Sequence, residues 1–351
     1  MMETRVIRIT DPKADVNELK LAAQRIRNGE VVAFPTETVY GLGANALDGN
    51  AVKGIFDAKG RPGDNPLIVH IDEQSQMYKL VKDIPDKALI LTKAFWPGPL
   101  TIILNKSSLV PIEVTAGLNT VGIRMPAHPI ARALIQLAGV PIAAPSANRS
   151  GRPSPTTALH VLEDMQGRIP LILDGGKADV GVESTILDMT DEIPVLLRPG
   201  GITREMITQV IGQILVHPSI LSPLKEGQKV LSPGMKYTHY APKASVIIVR
   251  GDLDKLKSFI INETDRLQQT GKRVGILATD ETISYYFHGV LLSMGSRSRP
   301  AELAANLFSL LREFDSLRVD IILAEGVDER DEGLAVMNRM ARAAGFNIVD
   351  V

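Results

Sequence analysis

Lys59-Gly60-Arg61-Pro62-Gly63-Asp64-Asn65-Pro66 and Pro145-Ser146-Ala147-Asn148 carry the residue types that a phosphate and a small polar substrate require. Together they offer cations, amides and a hydroxyl among glycines and prolines that let a backbone come close to a ligand. Cations are favourable at a helix C-terminus in any case. Lys59 and Arg61 nevertheless lie close together and lead into Gly63-Asp64-Asn65-Pro66, a pattern better explained by an anion. Arg61 can hold phosphate oxygens with its planar fork, while Lys59 adds a mobile point charge. Arg124 interrupts the apolar run Val121-Gly122-Ile123-Arg124-Met125, so it either faces solvent or is half-buried with an anionic partner. A substrate carboxylate would be such a partner. Thr36 and Thr38 add hydroxyls after the first strong strand, and His70 lies on a later one. Each of these also has a plain structural reading, as local hydroxyl-to-backbone bonds or a hydrogen-bonded histidine.

These residues must be positioned by an α/β scaffold. Strands are expected at Val31–Phe34, Leu67–Ile71, Leu100–Leu104, Val121–Met125, Val140–Ala144, Leu171–Asp174, Thr185–Leu187 and Val195–Leu197. Helices are expected over Val16–Asn28, Asn50–Ala58, Asp86–Phe95, Pro129–Ala138, Thr156–Met165 and Arg204–Ile211. Some connections are too short for helical crossovers, so the sheet must be mixed. The stretch Phe34 to Gly43 reads as a loop. Pro145–Asn148 then falls at the carboxyl end of a strand, where α/β sheets place their ligands.

A segment from His217 to Pro242 has no convincing period, which suggests a linker or an active-site lid. Beyond it, Ser245–Val249, Arg273–Ala278, Val290–Ser293 and Val319–Ala324 read as strands, with helices over Leu253–Gln268, Ala301–Phe314 and Leu334–Ala344. That alternation predicts a smaller, mostly parallel Rossmann-like α/β sheet. The expected division is 1–212, a linker over 213–243 and a second domain over 244–351.

Absences narrow the chemistry. The chain has no phosphate loop of the Gly-x4-Gly-Lys-Ser/Thr kind, no Gly-x-Gly-x-x-Gly after a strand and no His-Glu-x-x-His. Ser184 lacks the flanking glycines of a nucleophile elbow. Cysteine is absent, which excludes disulfides and zinc-thiolate sites. A net charge of −1 gives no global attraction to nucleic acid or an anionic membrane, so a cationic site must be local. The first residues lack the hydrophobic core of a signal peptide and apolar runs are short, so a cytoplasmic protein is expected.

Taken in order, these stretches resemble the threonylcarbamoyl-AMP synthase family. Lys59-Gly60-Arg61 and Ser146-Ala147-Asn148 are similar to its Lys-x-Arg and Ser-x-Asn signatures. Phe34–Leu42, Trp96-Pro97-Gly98-Pro99-Leu100-Thr101 and Gly181-Val182-Glu183-Ser184-Thr185 are similar to other family blocks. Ser232–Pro242 resembles the linker of the long two-domain form called Sua5, so the likeness covers essentially the whole chain. The resemblance implies a YrdC-like twisted mixed sheet followed by the smaller domain. It also implies a reaction in which L-threonine, bicarbonate and ATP give threonylcarbamoyl-AMP and pyrophosphate, with Mg2+ carried on the ATP phosphates and no protein metal ligands named. The product would serve a downstream tRNA threonylcarbamoyl transferase acting on adenosine 37 of tRNAs that read codons beginning with A.

By that resemblance Thr38, His70, Arg124, Ser184 and the backbone at Ala144 hold threonine. Lys59, Arg61, Asn65, Thr120, Ser146, Asn148, Ser154, Arg198 and Tyr237 line the ATP site, and Lys59 and Arg61 act as the catalytic cations. The linker, with Lys236 and its tyrosines, would fold over the site as a lid; a passive tether is the alternative. Two other functions compete with synthesis. A non-catalytic RNA-binding module in direct contact with tRNA would show strongly salt-dependent affinity without pyrophosphate release. A carbamoyl-transfer protein, as in hydrogenase maturation, would need zinc-binding parts that a chain without cysteine lacks.

Overall fold

Asp48 accepts hydrogen bonds from the N–H groups of Asn50 and Ala51 and so starts the helix that ends at Lys59. Thr157 and Thr203 cap later helices in the same way, each satisfying a donor that a helix start leaves open. The computed structural model describes residues 2–220, 222–223, 230–233 and 240–351. These fall into two units, one of 2–150, 154–220 and 230–233, the other of 151–153, 222–223 and 240–351.

The first unit contains strands β1 (Arg5–Arg8), β2 (Val32–Phe34), β3 (Gly41–Asn45), β4 (Ile68–His70), β5 (Leu100–Asn105), β6 (Thr120–Arg124), β7 (Ile142–Ala143), β8 (Leu171–Asp174), β9 (Thr185–Asp188), β10 (Val195–Arg198) and β11 (Leu215–Val216). Its helices are α1 (Val16–Arg27), α2 (Gly49–Lys59), α3 (Met77–Leu80), α4 (Asp86–Phe95), α5 (Ile112–Thr115), α6 (Pro129–Ala138), α7 (Ala158–Met165) and α8 (Arg204–Ile211). The strands form one sheet in the order β1-β8-β2-β3-β7-β4-β6-β5-β9-β10-β11. It is mixed: β4 runs parallel to β6 but antiparallel to β7, and β5 runs antiparallel to β6 but parallel to β9.

Leu19 and Ile26 of α1 and Leu134 and Ile135 of α6 pack with Phe34, Ile142, Leu171 and Leu173 of the sheet. Burying each such side chain is worth about 1.5–3 kcal/mol, which fixes the sheet under its helices.

One expectation is corrected here. Gly41–Gly43, expected as the end of the loop, belongs to strand β3, paired antiparallel with β2. Its glycines hid the strand, yet the packing demands them. A Cβ on Gly43 would sit 2.7 Å from the Phe34 ring and 2.6 Å from Ile142. The glycine lets the aromatic ring lie against the backbone.

The second unit contains β12 (Ser245–Arg250), α9 (Leu253–Gln269), β13 (Val274–Ala278), β14 (Val290–Ser293), α10 (Pro300–Ser316), β15 (Ile321–Glu325), α11 (Gly333–Ala343) and β16 (Ile348–Asp350). Its sheet has the order β14-β13-β15-β12-β16. Every pair in it is parallel, as a β/α alternation requires. The expected apolar face of α10 is buried at Leu303, Leu307, Leu311 and Phe314, while Leu310 is half-buried at its margin. Among the described residues no helix is long and apolar enough to cross a membrane.

Candidate active site

Arg124 ends β6 and is 3% exposed, so its charge must be met from within the protein. Its Nη2 lies 2.6 Å from Glu37 Oε1, Nη1 donates to Thr38 Oγ1 at 2.9 Å, and Nε donates to the Gly98 carbonyl at 3.3 Å. The anionic partner that the strand's arginine needed is therefore Glu37, itself 7% exposed. Burial alone would raise the Glu37 pKa, but the Arg124 guanidinium outweighs it and holds the carboxyl below its ordinary range.

His70 ends β4 directly beside Arg124 in the parallel β4–β6 register. Its ring stands edge-on to Phe34, with centroids 6.3 Å apart. Its Nδ1 is buried without a hydrogen-bond partner among the described residues. Burial, reinforced by the Arg124 charge, pushes its pKa down to about 3, so the imidazole is neutral at pH 7. Ala144 lies beside the same strand and donates its N–H to the Ile68 carbonyl at 2.9 Å.

This depressed pKa has a consequence for stability. The unfolded chain takes up the His70 proton near pH 6.5 while the folded one refuses it until about 3. Stability should be complete above pH 6.5 and fall as pH is lowered through that interval. His128 and His217 are also shifted down by burial and act in the same direction. We expect His70→Gln to flatten the fall by one proton, about 1.4 kcal/mol per pH unit. Thermal unfolding between pH 6.5 and 4.5 checks this, and equal slopes for the two proteins would contradict it.

Ser184 approaches from the other side. Its Oγ lies 2.8 Å from Thr101 Oγ1 and accepts from Arg198 Nη2 at 3.1 Å, while Arg198 Nε donates to the Ser184 carbonyl at 2.9 Å. Thr101 faces Arg124 in the β5–β6 register, which joins Ser184 to the arginine and histidine. The turn that returns Arg198 here needs Gly200, because a Cβ there would meet the Thr185 nitrogen at 2.4 Å.

The two opening stretches meet beside β3. Lys59, the last residue of α2, is 4% exposed. Its Nζ donates to the carbonyls of Ser146 and Asn148, the latter at 2.6 Å, and lies 3.4 Å from Asn148 Oδ1. Ser146 Oγ donates to Asn148 Oδ1 at 2.5 Å. A bridge between Gly41 and Ser146 ties this loop to the newly found strand β3. Arg61 Nη2 donates to the Asn65 carbonyl at 3.0 Å, which turns the chain back after α2. Asn65 is fully buried, and neither polar atom of its side chain has a partner among the described residues.

Thr120 begins β6 and lines an apolar groove with Pro66, Gly122, Ile186, Leu231 and Pro233. Ser154 donates a short hydrogen bond to the buried Glu183 carboxylate. Tyr237, together with Lys236 and the rest of 234–239, lies outside the described residues. Every other expected site residue belongs to the first unit. For Glu37, Thr101 and Glu183 the sequence carries no signal beyond their place inside the stretches that resemble the family's blocks.

Comparison with known proteins covers both units of the chain. Residues 24–200 match the family profile shared by Sua5, YciO and YrdC proteins and described as telomere recombination. Residues 202–345 match the C-terminal domain of threonylcarbamoyl-AMP synthase. The chain is 52% identical to threonylcarbamoyl-AMP synthase of Pyrococcus abyssi, over 95% of this chain and 96% of that one. It is 52% identical to the enzyme of that name from Bacillus subtilis, over 95% and 94% of the two chains. The crystal structure of Pyrococcus abyssi Sua5 complexed with L-threonine superposes with a TM-score of 0.93 at 50% identity, covering 99% of each chain.

Proposed function

This chain belongs to the threonylcarbamoyl-AMP synthase family, and we propose that the buried cluster around Arg124 is where it holds L-threonine for carbamoylation and adenylation. It is a nucleotidyltransferase of the long two-domain form. L-Threonine, bicarbonate and ATP give threonylcarbamoyl-AMP, pyrophosphate and water.

The observation that carries the reading is the convergence of a buried arginine, a neutral histidine and two hydroxyls. Arg124 meets the threonine carboxylate, and neutral His70, whose Nδ1 is open, meets its hydroxyl. Ser184 and Thr38 complete the polar lining, with the Ala144 backbone beside them. A site built to bond a hydroxyl rejects valine strongly, because its buried polar groups would then lack partners. Serine is harder to refuse, since only a methyl group, worth about 1–3 kcal/mol, separates it from threonine.

The amine takes up carbon dioxide derived from bicarbonate and becomes a carbamate, without a protein nucleophile. A carbamate oxygen then attacks the α-phosphorus in line and pyrophosphate leaves. Such a displacement depends on positioning and on neutralising charge at the phosphate oxygens. That is the task of Lys59 and Arg61, with Ser146, Asn148, Asn65, Thr120, Ser154 and Arg198 around the nucleotide. Magnesium would enter with ATP, carried on its phosphates, and would neutralise part of their charge. The product then passes to a tRNA threonylcarbamoyl transferase in the cytoplasm.

Pyrophosphate release with each reactant omitted in turn tests the reading. It should require ATP, L-threonine, bicarbonate and magnesium together. Release that persists without threonine or without bicarbonate would overturn it.

A further inference from the structure

Arg124 is the residue on which threonine recognition rests in the reading above, and the geometry shows how it is oriented. Its Nε and Nη1 each donate one hydrogen, to Gly98 and Thr38. Glu37 Oε1 sits 2.6 Å from Nη2 as its ion-pair partner. The guanidinium carries five N–H groups. Those that remain lie on the two terminal nitrogens, the pair a carboxylate takes side by side.

Glu37 is poorly explained as a stabilising core residue. A carboxylate buried to this degree loses its hydration, and the Arg124 charge is what offsets that loss. Glutamine or an apolar side chain would fill the same space at lower cost. What only a carboxylate supplies is a fixed negative charge against one terminal nitrogen of Arg124. That charge confines the arginine to one orientation and partly balances it while threonine is away. The loop that carries Glu37 is itself braced. Thr36 Oγ1 donates to the Val39 carbonyl at 2.6 Å and lies 2.8 Å from Thr38 Oγ1, and Val180 donates its N–H to the Glu37 carbonyl at 2.8 Å.

We infer that Glu37 is a positioning residue for the reaction: it acts through Arg124, fixing the guanidinium so that its remaining N–H groups receive the threonine carboxylate. This rests on the carboxylate reading of Arg124. It assigns Glu37 no contact with substrate.

The test measures kcat/KM for L-threonine and for ATP by pyrophosphate release in wild type, E37Q, E37D, R124Q and the double variant E37Q/R124Q. Thermal melts confirm that each variant is folded. E37Q should lower kcat/KM for threonine at least tenfold, through KM, and leave KM for ATP within twofold. E37D keeps the charge but retracts it by one methylene; it should show the same selective loss, and it carries the test if E37Q does not fold. In the R124Q background E37Q should add less than twofold, because its effect travels through the arginine. The inference fails if E37Q and E37D leave threonine KM within twofold. It also fails if they raise the KM for threonine and ATP alike, or if E37Q keeps its full effect beside R124Q. R124Q with unchanged threonine KM would take down the carboxylate reading itself, and Glu37 with it. R124Q with a large effect but E37Q and E37D without one would overturn only the role of Glu37.

Discussion

Lys59→Ala should reduce threonine-dependent pyrophosphate release by about a hundred- to a thousandfold, the scale of losing one preorganised donor at a developing charge. The same substitution should lower Tm. Lys59 Nζ serves the carbonyls of Ser146 and Asn148 inside the protein, and a buried acceptor left without its donor costs about 1–3 kcal/mol. Burial of Lys59 is what couples the two effects. Arg61→Ala separates the two effects. Arg61 is only half-buried and donates to the Asn65 backbone carbonyl. Its loss should reduce turnover with a smaller stability cost. Turnover near wild type in either variant, measured with a coupled pyrophosphate assay on folded protein, would remove that residue from the phosphate site.

Arg124→Ala should act on threonine rather than on ATP. Removing one partner of a buried charge pair costs about 2–5 kcal/mol of binding, or roughly thirty- to several-thousandfold in threonine KM. The KM for ATP should stay near its wild-type value. The variant also strands the Glu37 carboxylate, which is 7% exposed and paired with Arg124. Breaking a buried pair from one side costs about 3–5 kcal/mol of stability, so a lowered Tm accompanies the effect. Arg124→Lys controls for this. Lysine restores the charge but not the fork, so stability should recover more than threonine KM does. Unchanged threonine dependence in a folded Arg124→Ala protein would contradict the carboxylate role.

Much of this was readable from periodicity and caps. Asp86–Phe95, Pro129–Ala138 and Arg204–Ile211 fall where their apolar spacing placed them. So does Val290–Ser293, although it is short. The elements that escaped did so for physical reasons. Arg5–Arg8 buries only Ile7 and presents charged residues, so its alternation carries little apolar signal. Gly41–Asn45 is a strand whose glycines accommodate an aromatic ring from a neighbouring strand, and its sequence shows only the glycines.

The site divides along the same line. Lys59, Arg61, Ser146 and Asn148 stand out by type and local spacing. That Lys59 lies against Ser146 is a contact across 87 residues, which no local pattern encodes. Glu37 is the clearest case. Its partner Arg124 was suspected of needing an anion, but only the packing of the β2–β3 turn against β6 shows that the protein itself provides one.

A carboxylate held by Arg124 leaves the amine as the group that reacts, and this is the central chemical claim. An enzyme that activated the carboxylate instead would make a threonyl adenylate from the same ATP and the same amino acid. Mass spectrometry of the adenylate formed from ATP, L-threonine and 13C-labelled bicarbonate separates the two. A threonylcarbamoyl adenylate carrying one labelled carbon should form, with one pyrophosphate. An unlabelled adenylate lacking the carbamoyl group would contradict it.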